Sequence, residues 1–398
     1  MLLDPCATRE THKQILILQP HLPEVEKWDG WRGVIDSSLR KKFGFKTIVR
    51  ASSFPSFALK ACQRSKRASC LHPLSTHDNP VGPDLDLFQK LQQRIPGLEI
   101  IDGNKIIPRL RAVKSANELS MIRRSAEITE EGFRAVLATL RPGISEFDVQ
   151  EAAEHGYRSH GSRGPFYGTI VGSGFNGTIL HYCANNQIIG EQDLVVIDSG
   201  ARFGGGSGGY GSDVTRTYPV GGHMEGAGRD VYEVVLAAQE AGLALAKPGS
   251  TLDAVHQAAL SRLVEGLVDL GLLSGSVDDL IEAGEYRRYY MHRTSHWLGL
   301  DVHDVGNYAR EDRPRSLEPG MAFTVEPGLY IANSIEDEAA GRFRGIGVRI
   351  EDDVIIIAQI ESPQGIDNAD AIAAGADELS VKLDGKAWSQ SVGGPQKY

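Results

Sequence analysis

Four carboxylates at the ends of apolar stretches are the residues in this sequence best placed to do chemistry. Asp198 closes Leu194-Val195-Val196-Ile197-Asp198, and Glu326 follows Ala322-Phe323-Thr324-Val325. Asp213 opens Asp213-Val214-Thr215-Arg216-Thr217, and Glu351 ends Gly347-Val348-Arg349-Ile350-Glu351. A charge on an apolar strand is costly unless it is paired or bound to a metal. One strand-end Asp is ordinarily a cap or a turn residue. Four carboxylates on two repeated strand pairs, close to a histidine cluster, point instead to a metal site. The cluster reads His292-Arg293-Thr294-Ser295-His296, followed by Asp301 and His303. Any one of these histidines alone could be a hydrogen-bonded core residue; that reading is weak for all three together.

Side chains two apart on a strand share a face. Asp213 therefore has Thr215 and Thr217 beside it, Glu326 has Thr324, and Glu351 has Arg349. Each candidate ligand gains a polar neighbour able to orient it. His292 and His296 are spaced to face one way on a helix, but the His-Glu-x-x-His pattern of helical zinc sites is missing because residue 293 is Arg. Gly299 with alternating Leu300 and Val302 predicts a loop leading into a strand. Cys183 lies two residues from His181, yet nothing in the sequence orients that histidine as a base, so a Cys–His nucleophile is set aside. Gly204 to Gly209 formally satisfies Gly-x-Gly-x-x-Gly. A dinucleotide loop must lead into a helix; here a strand over 213–220 follows, so the glycines read as a hairpin tip.

The elements that must position these groups form a repeated pattern. Residues 1–110 mix short apolar runs (15–18, 47–49, 98–101) with polar breaks, which reads as an α/β domain. Ser115 and Glu118 then form a capping box. A helical pattern through Leu119, Ile122, Ile128, Phe133, Val136 and Leu140 follows, until Pro142-Gly143 stops it. Ser145 caps a second helix containing Phe147 and Val149. Lys247-Pro248-Gly249 and a helix around Val255 repeat this arrangement, and each helix pair is followed by two carboxylate-bearing strands. The inference is a duplicated helix–helix–sheet unit whose pseudo-two-fold brings both carboxylate pairs to one centre.

Composition narrows the function class. The 398 residues are 41% hydrophobic and 24% charged, near the average for a packed globular protein. A net charge of −10 argues against nucleic acid as a partner. Residues 1–75 are the exception, with 13 Lys/Arg against 6 Asp/Glu; a solvated face or a subunit contact accounts for that. No stretch approaches the ~20 apolar residues of a membrane helix. The first twenty residues lack a signal-peptide layout. Cys6, Cys62, Cys70 and Cys183 form no Cys-x-x-Cys pair and suit a reducing compartment. The expected location is the cytoplasm.

Taken together, Ile-Asp-Ser-Gly, Ser-Asp-Val-Thr-Arg-Thr-Tyr-Pro-Val, His-Trp-Leu-Gly-Leu-Asp-Val-His-Asp-Val-Gly, Thr-Val-Glu-Pro-Gly-Leu-Tyr-Ile and Gly-Ile-Gly-Val-Arg-Ile-Glu-Asp-Asp resemble the Xaa-Pro aminopeptidase (aminopeptidase P) branch of the creatinase/prolidase/methionine aminopeptidase superfamily. The resemblance is dense over 105–355 and faint over 15–105. It implies an α/β (α+β) chain: a partial N-terminal α/β domain over 1–112 and a pita-bread metallopeptidase domain over 113–385; the polar, Gly/Ser-rich stretch over 386–398 reads by composition as a flexible tail. The resemblance implies two divalent ions held by Asp198, Asp213, His296, Glu326 and Glu351, with Asp213 and Glu351 bridging. A set of four carboxylates and one imidazole favours Mn²⁺ over structural zinc. It further implies Glu326 as general acid/base, His181, His292 and His303 around the tetrahedral intermediate, and substrate contacts from His181, His292, His303, Tyr308 and Arg349. The implied reaction is hydrolysis of an Xaa-Pro bond by a water that two ions acidify. Peptides with proline in second place are the implied partners, and a homodimer or homotetramer is implied if the N-terminal domain is competent. A prolidase acting on Xaa-Pro dipeptides and an inactive binding relative are the alternatives.

Two features depart from the family pattern. Asp198 and Asp213 stand 15 residues apart, and removing about four Gly/Ser residues around 205–208 restores the usual spacing. The N-terminal domain also looks short, as if early strands were missing.

Overall fold

The computed structural model of the protein describes residues 1–71, 82–103, 106–205, 208–310 and 313–357. The chain divides into two compact units between Pro108 and Arg109, where the sequence reading placed its boundary after residue 112. The predicted tail at 386–398 lies outside the described residues.

In the first unit the apolar runs become parallel strand pairs. Gln14–Leu18 pairs with Thr47–Arg50, with Leu2–Leu3 antiparallel at the edge. Arg67–Cys70 pairs with Glu99–Asp102. Parallel pairing needs a crossover, and helices fill those intervals: Pro23–Asp29 and Ser37–Phe43 before the first partner strand, Pro83–Gln92 before the second. The helix Phe54–Ser65 buries Ala58 and Cys62 with Leu91, Ile95 and Leu98.

The second unit shows the internal echo in detail. Helix Ala116–Thr139 starts at the Ser115–Glu118 capping box and buries Ile122, Ser125, Ala126, Thr129, Phe133 and Val136, one face at i, i+3, i+4 spacing. Its partner Glu146–Ser159 is capped by Ser145 and Asp148. The two cross so closely that a Cβ on Gly132 would meet the Tyr157 ring at 2.1 Å. Helices Gly226–Leu245 and Leu252–Asp269 repeat the arrangement. There a Cβ on Gly266 would meet Val234 at 2.3 Å. The turns match as well. Gly143 and Gly249 both take φ +83, and both donate a 2.9 Å backbone hydrogen bond outward, to Ile189 and Leu317 respectively.

Each helix pair backs a β layer. Leu194–Asp198 lies between Ile170–Ser173 and Thr215–Pro219, all antiparallel. On the other side Ala322–Val325 pairs with Asp352–Ile355, and Gly328–Ile331 with Ile346–Arg349. An isolated bridge between Thr215 and Glu351 joins the halves. The Gly-rich hairpin is built on Arg202–Phe203 paired with Tyr210–Gly211 and leads into strand Thr215–Pro219, with no helix after it. The sequence reading differs from the structure at 299–303. The alternation of Leu300 and Val302 suggested a strand, but this stretch is loop. The amide of Asp304 bonds back to the Trp297 carbonyl at 2.8 Å and that of Gly299 to Asp301, folding the segment onto itself before it can extend.

Candidate active site

The four carboxylates sit where strands stop. Asp198 is the last residue of its strand and stands opposite Thr215 and Ile170. Asp213 precedes strand Thr215–Pro219. Glu326 follows strand Ala322–Val325 and is itself followed by Pro327, which has no N–H to extend the ladder. Glu351 falls in the break between Ile346–Arg349 and Asp352–Ile355. The chain around His296 runs alongside Ala322–Val325: the amides of Thr324 and Glu326 bond the carbonyls of His296 and Thr294 at 3.0 and 2.8 Å. That pairing sets His296 beside Glu326.

The structure brings all five candidate ligands into one cavity of about 910 Å³. Ligand atoms of Asp213, His296 and Glu351 lie within 4.8 Å of one another. His296 Nε2 is 3.3 Å from Asp213 and 3.4 Å from Glu326. Asp198 joins them through Tyr167, whose hydroxyl is 2.6 Å from Asp198 Oδ1 and 2.5 Å from Asp213 Oδ1. A phenol has one proton, so it cannot donate to both at once. Asp198 Oδ2 takes the Arg349 guanidinium at 2.5 Å.

The orienting neighbours work across strands more than along them. Thr215, expected beside Asp213, donates instead to Glu351 at 2.6 Å. Arg349, expected beside Glu351, is bound to Asp198 and also donates to Thr215 and Tyr330. Only Thr324 faces its own strand's acid, 3.5 Å from Glu326.

The electrostatics describe a cluster short of positive charge. Burial drives the Glu351 carboxyl well above the usual range, and Asp213, Glu326 and Asp198 add repulsion. Burial also lifts Glu326 to about 7, against the pull of His296 and with the push of Asp213. Asp198 is raised by burial despite Arg349. Burial would lower His296, but Asp213 and Glu326 carry it up to about 9. Glu351 Oε1 is buried with no hydrogen-bond partner among the described residues. Crowded acids that resist ionising, an orphaned carboxylate oxygen and an oxygen-rich donor set with one imidazole fit divalent cations.

The remaining candidates fall into two groups. His292 has both ring nitrogens engaged, Nδ1 with the Arg293 carbonyl and Nε2 with the Tyr330 hydroxyl, each at 2.8 Å. Burial lowers its pKa to about 4. His181 and His303 are exposed on the cavity wall, and the His303 ring lies 4.3 Å from that of His296. Tyr308 stacks on Trp297 and lines the same wall. Arg349 also lines the cavity, but its guanidinium is committed to the partners above.

Two site residues escaped the sequence reading. Tyr167, in Pro165-Phe166-Tyr167-Gly168, carries no local signal. Asp353 accepts the Asp213 amide on both oxygens at 3.1 Å; it stands two residues beyond Glu351, so strand period alone could have found it.

Comparison with known proteins bears on the same residues. The sequence profile of metallopeptidase family M24 matches residues 120–358. The Xaa-Pro aminopeptidase of Escherichia coli is 45% identical over 257 residues, which is 65% of this chain and 57% of that protein. The Xaa-Pro aminopeptidase of Haemophilus influenzae is 35% identical over 352 residues, 88% of this chain and 77% of the relative. Among solved structures, Pseudomonas aeruginosa aminopeptidase PepP superimposes with a TM-score of 0.79 at 33% identity, covering 94% of this chain and 85% of that one. A variant of Escherichia coli aminopeptidase P in complex with substrate gives 0.77 at 34%, covering 92% and 83%.

Proposed function

The chain belongs to metallopeptidase family M24, and we propose that it is a metal-dependent aminopeptidase that releases the first residue from peptides whose second residue is proline. The observation that carries this reading is the convergence of Asp213, His296 and Glu351, with Glu326 beside them, on the floor of an open cleft. The similarity to Xaa-Pro aminopeptidases along most of the chain supports the choice of substrate.

Asp198, Asp213, His296, Glu326 and Glu351 would hold two divalent ions. Mn²⁺ is the ion that best suits the oxygen-rich set. Bound there, the ions supply Lewis acidity, polarising the scissile carbonyl and acidifying water. The chain's own residues do the rest. Glu326 accepts a proton from the attacking water and delivers one to the prolyl nitrogen. That nitrogen carries no hydrogen before cleavage, so the leaving group depends on this delivery. His181 and His303, exposed on the wall, face the reacting carbonyl and the peptide. His292, neutral and clamped by Tyr330, shapes the pocket beside Glu326, whose Oε2 is 3.9 Å from its Nδ1. Tyr308 contributes an apolar face to the same wall. The cysteine usage and the leading residues favour a cytoplasmic location, a homodimer or homotetramer follows if the N-terminal domain is competent, and no described helix is long and apolar enough to cross a membrane.

Purified protein loaded with Mn²⁺ should release the first residue from Xaa-Pro-Yaa tripeptides faster than it splits Xaa-Pro dipeptides. Dipeptide-only cleavage would make it a prolidase. Absence of both cleavage and bound metal by elemental analysis would sink the enzyme reading.

A further inference from the structure

Glu146 begins the helix Glu146–Ser159 and is fully buried, at 0% exposure. Five donors converge on its carboxylate. Oε1 accepts from the Ser173 amide at 2.7 Å, the Ser173 hydroxyl at 2.8 Å and Asn176 Nδ2 at 3.0 Å. Oε2 accepts from the Tyr182 hydroxyl and the Gln187 amide, both at 2.9 Å. A carboxylate has about four lone-pair sites, so these donors saturate it.

The donors span residues 173–187, and His181 lies within that span, next to Tyr182. Past the short 3₁₀ turn Gly174–Thr178, residues 179–187 hold no helix or strand that would fix their path. Among the described residues the His181 ring has no hydrogen-bond partner of its own. Its position on the cavity wall is therefore set by its backbone. That backbone is held before and after His181 by Glu146, at Leu180 by Arg349, whose guanidinium reaches the Leu180 carbonyl at 3.5 Å, and further along by Asn185, whose side chain bonds Thr169, Val171 and Gln150. The segment also packs tightly on the strand that carries Arg349: a Cβ on Gly347 would meet the Gly177 carbonyl at 1.9 Å. Any drift of residues 173–187 would move His181 relative to the carboxylates.

We propose that Glu146 is a positioning residue that fixes His181 at the cleft by gathering residues 173–187 onto one buried carboxylate. The proposal rests on the functional reading given above and names a residue outside its catalytic set. Glu146→Gln keeps the shape but turns one oxygen into a donor facing donors. The expected loss in kcat/KM on an Xaa-Pro-Yaa peptide is about ten- to a hundred-fold, as for other groups that orient a site from behind. The loss should be non-additive: Glu146→Gln/His181→Ala should be no slower than His181→Ala alone. Hydrogen exchange should speed up in residues 173–187, and not in the helix Ala116–Thr139. Additive losses, or unchanged exchange in 173–187, would overturn the proposal. Should Glu146→Gln fail to fold, Tyr182→Phe removes a single donor and is read in the same way. If the wild-type protein cleaves no Xaa-Pro peptide, the functional reading fails, and the exchange of residues 173–187 alone decides the role of Glu146.

Discussion

Under the proposed function Glu326 would hold a proton and face cations, and its surroundings pull it in both directions. Burial and Asp213 raise its pKa while His296 lowers it, leaving it at about 7. Glu326→Gln keeps the size and removes the proton exchange. Turnover should fall by about a hundred- to ten-thousand-fold, the usual worth of a positioned acid/base. The same substitution removes a buried charge from a crowded acidic cluster, so the metal-stripped variant should melt higher than metal-stripped wild type at pH 7.5. Residual activity near the wild-type level would refute the acid/base role, and a lower melting temperature would refute the crowding. Glu326 itself was legible in the sequence because a carboxylate closing an apolar strand is expensive and repeated spacing made accident implausible. Its partners were less so. Period-two reasoning finds neighbours along one strand, whereas Thr215 serves Glu351 and Arg349 serves Asp198 from different strands. Tyr167 touches two acids from a stretch with no pattern at all.

At the scale of elements, helices were legible because caps and apolar stripes are local. The loop carrying His296 and His303 was not, because what shapes it is distant in sequence. Asp304 closes that loop and is buried at 1% side-chain exposure, with Lys114 at 2% and 3.1 Å away. Arg111 pairs with Asp304 as well, and with Asp301 at 2.6 Å. Lys114 in turn donates its backbone amide to Gly320, just ahead of the strand leading to Glu326. Lys114 thus links the end of the histidine loop, through its side chain, to the start of the glutamate strand, through its backbone, and Arg111 adds a second cation on the loop. Removing Asp304 leaves Lys114 buried without this carboxylate, while Arg111 keeps Asp301, a loss of about 3–5 kcal/mol. Asp304→Asn should therefore lower stability by roughly that amount in chemical denaturation. Lys114→Met/Asp304→Leu, which removes both charges, should recover much of it. A double variant as unstable as the sum of its singles would show that shape, not charge pairing, holds the loop.

For the molecule as a whole, the duplicated halves bring together acids that repel one another, so the site weakens the fold wherever no cation balances it. The sign follows from the pKa directions. Glu326 and Glu351 lie above their unfolded values. The folded state then binds more protons than the unfolded chain, and stability falls as pH rises from about 4.5 towards about 7 and beyond. For Glu326 alone the full cost approaches about 3 kcal/mol. Divalent cations act in the opposite sense, because they bind the ionised carboxylates of the folded state and gain affinity as pH rises. At a metal concentration about 100 times the dissociation constant, binding adds about 2.7 kcal/mol. The quantity to measure is the difference in melting temperature between Mn²⁺-loaded and chelator-stripped protein, taken at several pH values. Taking the difference cancels groups whose titration metal binding leaves unchanged. The gap should be small at pH 5 and widen to several degrees by pH 7.5. Asp213→Asn, which takes away one of the three converging ligands, should shrink it at every pH. A gap independent of pH would mean that the carboxylates are ionised and balanced without metal, and the duplicated site would then have to be stabilised by the protein alone.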